Sequence, residues 1–285
     1  MEKRAYGSSG IDLSIVGFGG IIVSNVSTKD AANHVAEAYD GGINYFDVAP
    51  TYGNAQEMLG PALKPYRDKV FLACKTGKRT AAEGQAELEE SLRLLETDHF
   101  DLYQLHAMTT EEDYATAMGP GGVMEMIAKA VEKGQIRNVG FSAHSAEIAV
   151  KLLDNFDFAS VLTPLNFAAI WNGGFGPQII TKAQEKGAAF LALKAMARTK
   201  VPEGQERPNP RCWYEPIPER DIAQLALRFT LGQPVTAAIP PGDIELFRIA
   251  VDAVKDGFKP LSAGEEKVLR DYAQGLQPLF EAAGR

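Results

Sequence analysis

Short apolar runs alternate with helical segments along almost the whole chain, and this alternation restricts the possible folds more than any other feature. The runs, such as residues 190–193 (FLAL), are continuously apolar, which is typical of parallel strands buried on both faces. A segment with helical periodicity follows each run. The pair recurs about eight times in 285 residues, so we predict an α/β fold, a closed (β/α)₈ TIM barrel, rather than an open sheet.

The regions outside this repeat predict smaller elements around the barrel. Residues 4–13 have the loose alternation of an N-terminal hairpin, and residues 263–272 form an extra C-terminal helix. Residues 197–218 hold five prolines and are long for a connection inside a barrel, which favours a lid or binding loop over a disordered excursion. Residues 108–122 form a second, plainer loop. We expect a single domain over residues 1–285.

Composition and motif content exclude several classes of protein. The formal charge is −8 and the basic residues are scattered, which argues against a nucleic-acid binder. Cys74 and Cys212 make neither a disulfide framework nor a metal-ligand spacing. No stretch has the apolar pattern of a signal peptide or a membrane span. We therefore expect a cytoplasmic protein without metal, nucleic-acid or membrane partners; no pattern indicates its oligomeric state.

Four polar residues lie at or just after the predicted carboxyl ends of consecutive strands, where barrel enzymes collect their active sites. Asp47 ends one strand and Tyr52 follows in the next loop, while Lys75 and His106 end the next two strands. A carboxylate paired with an ammonium beside a phenol forms a proton-transfer site, and an imidazole can orient a substrate. We expect these four side chains to converge.

Each of the four also has a structural alternative. Asp47 and Lys75 can form an ion pair that serves only the fold. Tyr52 can be a packed aromatic, and His106 can be a satisfied hydrogen-bonding residue. The combination along one rim favours the proton-transfer site over these separate explanations.

These residues and their flanking motifs resemble the aldo-keto reductase family along almost the whole chain. The motifs are residues 17–20 (GFGG), 42–47 (GINYFD), 52–53 (YG), 140–142 (GFS) and 239–240 (IP). The resemblance implies a barrel whose N-terminal hairpin closes the bottom. It also implies NAD(P)H-dependent reduction of aldehydes or ketones, as in bacterial-type carbonyl reductases. NADPH is the expected cofactor, with NADH as the alternative, and a small carbonyl compound is the expected partner.

The resemblance implies a role for each catalytic candidate. Tyr52 protonates the carbonyl oxygen as hydride arrives from the nicotinamide. Lys75 is expected to lower the pKa of Tyr52 from its ordinary value of about 10. Asp47 holds Lys75 as an ion pair, and His106 orients the carbonyl oxygen.

The family's cofactor contacts are matched less completely in this chain than its catalytic residues are. The candidates are Gly19, Gly20, Asp47, Ser142, Asn166, Lys194, Pro240, Gly242 and Arg248. Lys194 stands where relatives often have an aromatic that stacks on the nicotinamide, so we expect it to contact phosphate or ribose. The helix opening after Pro240 offers amides to a phosphate, and Arg248 is the candidate for reading an adenosine 2′-phosphate.

Aromatic residues in the predicted rim loops suggest an apolar or aromatic-walled substrate pocket. The substrate-binding candidates are Ile21, Trp171, Phe175 and Trp213. Three further histidines, His34, His99 and His144, have no partner in the motif and are interpreted as surface or capping residues.

Two other functions stay open at this point. A regulatory or sensor barrel would keep the fold and the cofactor but turn over poorly, and the altered cofactor contacts leave room for it. A barrel lyase or isomerase would use Lys75 or Lys194 as a Schiff base, which requires an unpaired, desolvated lysine. Asp47 beside Lys75 argues against the latter for that residue.

Overall fold

The computed structural model describes residues 1–207 and 209–282. Pro208 of the predicted lid and residues 283–285 of the predicted domain lie outside the described residues. In chain order the strands are β1 (Lys3–Ala5), β2 (Asp12–Ser14), β3 (Phe18–Gly19), β4 (Tyr45–Asp47), β5 (Phe71–Thr76), β6 (Leu102–Met108), β7 (Val139–Ala143), β8 (Ser160–Pro164), β9 (Ala189–Leu193), β10 (Ala197–Lys200), β11 (Tyr214–Pro216) and β12 (Ala237–Ile239).

Helices separate the strands. They are α1 (Thr28–Asp40), α2 (Ala55–Leu63), α3 (Ala81–Leu94), α4 (Glu111–Met118), α5 (Val123–Glu132), α6 (Ala146–Asn155), α7 (Phe167–Trp171), α8 (Pro177–Lys186), α9 (Arg220–Leu231), α10 (Ile244–Val254) and α11 (Ala263–Ala273). The predicted C-terminal helix corresponds to α11.

Eight parallel strands form the predicted (β/α)₈ barrel. Their order is β12-β9-β8-β7-β6-β5-β4-β3. The segment before β3 meets β12 through hydrogen bonds from Gly17 N to Ala238 O (3.0 Å) and from Ala238 N to Ile15 O (2.8 Å). These two bonds bring the first and last strands together, so the sheet curls into a nearly closed barrel.

The barrel interior is filled by inward-facing side chains at alternate strand positions. The N-terminal hairpin β1–β2 contributes Tyr6, whose ring lies 5.0 Å from that of Phe71 and whose hydroxyl donates to Ser160 Oγ at 2.8 Å. The hairpin therefore closes one end of the barrel. The larger hydrophobic core lies between the strands and the surrounding helices.

Two predicted loops contain regular structure. Residues 108–122 hold α4, whose capping box joins Thr110 and Asp113, so the prediction of a plain loop was wrong there; the T-x-x-D pattern was its signal. The segment 197–218 begins and ends in the antiparallel pair β10–β11. Between them, Asn209 Nδ2 donates to Asp243 Oδ2 at 3.0 Å and Arg211 Nη2 donates to Ser24 O at 2.8 Å. The segment is thus tied across the barrel rim.

No helix of the described residues is long and apolar enough to cross a membrane.

Candidate active site

Neighbouring strands place three of the four catalytic candidates side by side. Asp47 pairs in register with Ala73 of β5, and Lys75 of β5 pairs with Gln104 of β6. Side chains two residues apart face the same side of a strand, so Lys75 continues the inward face begun by Phe71 and Ala73. His106 lies two residues beyond Gln104 on β6 and Tyr52 lies in the loop after β4.

Asp47 and Lys75 form an ion pair inside the barrel mouth. Their side chains are almost fully buried, at 2% and 1% relative exposure, and Lys75 Nζ donates to Asp47 Oδ1. Gln104 Nε2 donates to the other carboxylate oxygen at 2.9 Å, and Lys75 Nζ also reaches Val48 O at 3.3 Å. Buried charges persist only when such further hydrogen bonds compensate their lost hydration. Gln104 is a member of this network that sequence reasoning missed, although its inward position was readable from strand alternation.

Tyr52 lies against both Lys75 and His106. Lys75 Nζ is 5.4 Å from the centre of the Tyr52 ring, and the Tyr52 and His106 rings meet edge to face at 6.1 Å. Burial raises the pKa of Tyr52 above its ordinary value, opposed by the Lys75 charge and reinforced by Asp47. The family resemblance predicted a net decrease in the pKa of Tyr52. The structure shows an increase instead, because the cost of desolvating the phenolate outweighs the attraction of the nearby Lys75 ammonium.

His106 is uncharged near neutral pH. Burial lowers its pKa to about 3, and the positive charge of Lys75 acts in the same direction. Arg79 Nη2 donates to the His106 carbonyl oxygen at 2.7 Å, which holds the strand end in place. A neutral imidazole offers one N–H donor and one acceptor, so it can donate a hydrogen bond to a carbonyl oxygen.

A cleft of about 130 Å³ opens beside Asp47 and Tyr52, which line it, whereas Lys75 and His106 lie behind them and are not part of the lining. Its lining includes eight residues predicted from the sequence, namely Gly19, Ile21, Asp47, Tyr52, Lys194, Trp213, Pro240 and Gly242. The lining also includes Tyr214, one of the rim-loop aromatics that suggested an aromatic-walled pocket. Three further lining residues were not predicted as site residues, namely Leu193, Arg211 and Ile239. The lid segment supplies Arg211, Trp213 and Tyr214. Its place on the rim was expected from the strand before it, but the sequence does not show which of its side chains reach the cleft.

Gly19 and Gly242 keep one part of the cleft, called here the glycine end, open. A Cβ placed on Gly242 would lie 2.5 Å from Ile21 Cγ2, and one placed on Gly19 would lie 3.1 Å from Ile239 Cγ2. Both glycines line the cleft, so any side chain there would fill it. A backbone that can be approached closely suits a dinucleotide, and these residues fit such a cofactor. Gly20 has a different reason for lacking a side chain, since its Cβ would lie 2.9 Å from Val48 Cβ.

Two buried polar residues, Ser142 and Asn166, lie at the ends of β7 and β8 without lining the cleft. Ser142 Oγ accepts from Ala107 N at 2.8 Å. Asn166 donates from Nδ2 to Lys194 O at 3.0 Å and accepts at Oδ1 from Ala169 N at 2.8 Å. Each retains one donor after these contacts, so a role toward a bound amide stays a prediction.

The helix N-terminus after Pro240 already has a carboxylate partner. Asp243 Oδ1 accepts from Glu245 N at 2.9 Å and from Leu246 N at 3.1 Å. An N-cap of this kind satisfies the amides that would otherwise attract a phosphate. The predicted phosphate contact through these amides therefore competes with Asp243.

Three predicted site residues have their partners elsewhere. Arg248 forms a bidentate pair with Glu37 of α1, both bonds 2.7 Å long. Trp171 packs on Phe229 at 4.6 Å and under the guanidinium of Arg270. Phe175 is fully buried. The structure does not bring these three to the cleft lining.

His144 was interpreted as a surface or capping residue, and the structure places it at the rim instead. Its ring lies 4.9 Å from that of Phe280, and burial lowers its pKa to about 3, with the charge of Lys194 adding to the decrease. Phe280 belongs to the C-terminal tail and also lies 6.0 Å from Trp213. The cluster of His144, Phe280 and Trp213 could not be predicted from the sequence, because it depends on the path of the C-terminal tail across the rim.

Because His106 and His144 bind protons more weakly in the folded state, the protein should lose stability in acid. Both pKa values lie at about 3 against about 6.5 in an unfolded chain. The unfolded state therefore binds the extra protons as the pH falls from 6.5 to 3, and each imidazole removes up to about 1.4 kcal/mol of unfolding free energy per pH unit. Urea unfolding at pH 7.5, 5.5 and 4.5 should show a shallower loss for His144→Gln than for the wild type. Equal slopes would contradict this assignment.

Among residues 1–207 and 209–282, no group of histidine, cysteine and carboxylate side chains is arranged to hold a metal ion.

Comparison with known proteins places the barrel and the motifs in a family. The aldo/keto reductase family model matches residues 16–242. The chain is 23% identical to an uncharacterized oxidoreductase of Bacillus subtilis, YqkF, with 99% of both proteins covered. It is 24% identical to the L-galactose dehydrogenase of Arabidopsis thaliana, with 85% of this chain and 84% of that protein covered.

A solved structure shares the fold. The holo form of aldo-keto reductase AKR11C1 from Bacillus halodurans superposes with a TM-score of 0.72 at 23% identity, with 98% of each chain covered. The family match spans most of the chain, and the shared barrel agrees with it. The protein is therefore a member of the aldo/keto reductase family, whose members are oxidoreductases.

Proposed function

We propose that the protein reduces aldehydes or ketones to alcohols with NADPH or NADH, and that Tyr52 is the proton donor. The observation that carries this proposal is the buried Asp47–Lys75 pair beside Tyr52 and His106 at the mouth of a cleft. A purely structural ion pair would not require a phenol and a neutral imidazole packed beside it.

Each residue of the site has a separate role in the proposed reduction. When bound, the nicotinamide cofactor supplies the hydride. His106 donates a hydrogen bond to the substrate's carbonyl oxygen and orients it, and Tyr52 transfers its phenolic proton to that oxygen as negative charge develops. The raised pKa of Tyr52 keeps it protonated near neutral pH, which is the form a proton donor needs. Lys75, held by Asp47, stabilises the phenolate that remains.

The cofactor would lie along the glycine-lined end of the cleft. Gly19 and Gly242 would contact it through backbone, with Gly20 and Pro240 supporting that surface. Ser142 and Asn166 would use their remaining donors toward the carboxamide. Asp47 lines the same cleft beside Gly19, its partner in the β3–β4 register, and would contact the cofactor there.

A sensor barrel with little turnover is the alternative function. The observation that favours it is Asp243, whose carboxylate occupies the helix N-terminus where a phosphate was expected. Fluorescence titration with NADPH and NADH, followed by an aldehyde panel with the tighter cofactor, separates the two. Turnover supports the reductase, and tight cofactor binding without turnover on any aldehyde supports the sensor.

The choice between NADPH and NADH tests the predicted role of Arg248. Because Arg248 is paired with Glu37 and does not line the cleft, we expect Arg248→Gln to change the ratio of the two dissociation constants less than about 5-fold, which is about 1 kcal/mol. Lys255→Gln, just after the same helix, is the matched control. A selective loss of NADPH binding of 10-fold or more would instead assign Arg248 to the 2′-phosphate.

A further inference from the structure

Lys194, at the end of β9, has a buried amino group without an anionic partner in the part of the chain that the structure describes. The residue is 8% exposed and lines the cleft with Tyr52 and Asp47. Asp47 is already paired with Lys75. Lys194 Nζ makes neither a hydrogen bond nor an ion pair with any residue in the described part of the chain. Buried lysines are ordinarily paired, because desolvating a lone charge is costly.

The neighbours of this ammonium are aromatic rings and neutral or positive groups. Its Nζ lies 5.5 Å from the Trp213 ring and 5.4 Å from the Phe280 ring. Its charge acts on His106 and on His144, and Lys75 repels it. The rings offer weak cation–π attraction, which does not replace a carboxylate. Burial and the charge of Lys75 lower the pKa of Lys194 to about 7, so a bound anion would stabilise its charged form. None of residues 1–207 and 209–282 supplies that anion to Lys194 Nζ.

The backbone at Lys194 is also unfavourable for a lysine. Its φ of 63° lies in the left-handed region, which only glycine and asparagine adopt readily. Asn166 Nδ2 and Ala197 N both donate to the Lys194 carbonyl oxygen at 3.0 Å and hold this conformation. Strained residues that the surroundings hold in place cluster at functional sites. A glycine would suit the turn better, so the turn alone does not account for the lysine side chain.

We propose that Lys194 binds a carboxylate on the carbonyl substrate, so that the preferred substrates are oxo acids. This inference rests on the proposed reductase function. The position of the ammonium supports a substrate group over a cofactor phosphate, because it lies with His106, His144 and Phe280. The other cation of the cleft lining, Arg211, lies beside Gly242, where Arg211 Cβ is 3.4 Å from a Cβ placed on that glycine.

A matched pair of aldehydes tests the selectivity. 4-Carboxybenzaldehyde carries the anion, and methyl 4-formylbenzoate is its neutral counterpart of similar shape. The wild type should prefer the acid, and Lys194→Met should lower the acid-to-ester ratio of kcat/KM by about 10- to 100-fold, the range expected for a charged hydrogen bond. Lys200→Met, an exposed lysine of β10, should leave that ratio unchanged. Lys194→Gln, which keeps a polar group without charge, provides a second variant.

A binding measurement that needs no turnover separates this inference from the reductase itself. The chain has two tryptophans, so Trp171→Phe leaves Trp213, close to Lys194, as the single reporter. Benzoate should change the fluorescence of Trp213 in this background, and Lys194→Met should abolish the change. If the wild type reduces neither aldehyde but benzoate binding depends on Lys194, the proposed reductase fails while the carboxylate site stands.

Three results would overturn the inference. The first is an acid-to-ester ratio that Lys194→Met and Lys194→Gln leave unchanged. The second is a loss of NADPH binding of 10-fold or more in Lys194→Met with that ratio intact, which would assign the lysine to a cofactor phosphate. The third is covalent trapping of 4-carboxybenzaldehyde on Lys194 by borohydride, which would indicate a Schiff base instead of an ion pair.

Discussion

Tyr52→Phe is expected to lower kcat for aldehyde reduction by about 10²- to 10⁴-fold, the range that a positioned general acid contributes. The substitution removes one oxygen atom and its proton and keeps the ring that packs against His106. The developing alkoxide then takes its proton from water rather than from a positioned phenol. Steady-state kinetics with a saturating aldehyde measure the effect directly.

The controls for this variant separate chemistry from binding and folding. NADPH titration by fluorescence should give a dissociation constant close to that of the wild type, because the glycine end of the cleft is untouched. Tyr39→Phe is the matched control, since Tyr39 stacks on Tyr66 at 4.3 Å, outside the cleft lining, and should keep full turnover. A Tyr52→Phe protein with wild-type kcat would remove the proton-donor role.

Lys75→Met is expected to cost about 3–5 kcal/mol of unfolding free energy, the range for removing one partner of a buried ion pair. The carboxylate of Asp47 would remain inside the barrel mouth with Gln104 and Tyr45 as its only described hydrogen-bond donors. An uncompensated buried charge is much less stable than a buried pair. Urea unfolding monitored by circular dichroism measures the loss, and reductase turnover should fall with it.

A double-mutant cycle shows whether the loss comes from the orphaned charge. Asp47→Asn alone should also destabilise the protein, because it leaves the Lys75 ammonium unpaired. Asp47→Asn combined with Lys75→Met removes both charges, so its cost should be clearly smaller than the sum of the two single costs. If the losses of unfolding free energy in the two single variants simply add in the double variant, the two groups stabilise the fold independently. Lys64→Met, which removes an exposed partner of Glu96, should cost no more than about 1 kcal/mol.

Much of the arrangement of the candidate site could be predicted from the sequence, because the positions of its residues follow from strand geometry. Continuous apolar runs predicted parallel strands, and parallel strands bring their carboxyl ends to one rim. Asp47, Lys75 and His106 each lie at such an end, so their convergence needed only the order of the strands. Gln104 follows the same rule and could have been found from it.

The electrostatic character of the site could not be predicted in this way. The direction of the pKa shift of Tyr52 depends on whether the effect of burial or the effect of the Lys75 charge is larger. The sequence shows which charged residues are present, but it does not show how deeply Tyr52 is buried. From the sequence, His144 was interpreted as a surface or capping residue, because nothing local shows that the C-terminal tail places Phe280 against it. Arg248 resembled a phosphate ligand until α1 placed Glu37 opposite its guanidinium.

The sequence by itself determined the barrel, the family, three residues at consecutive strand ends and Tyr52 in the loop after the first of those strands. It could do so because strand periodicity and the order of elements along the chain are local properties. The tertiary structure alone decided which charges are paired. Lys75 and Lys194 are both lysines at barrel strand ends, yet only Lys75 faces a carboxylate, since the groups around each lysine come from distant segments of the chain. That difference makes Lys75 part of a satisfied network and leaves Lys194 Nζ without an anionic partner among residues 1–207 and 209–282.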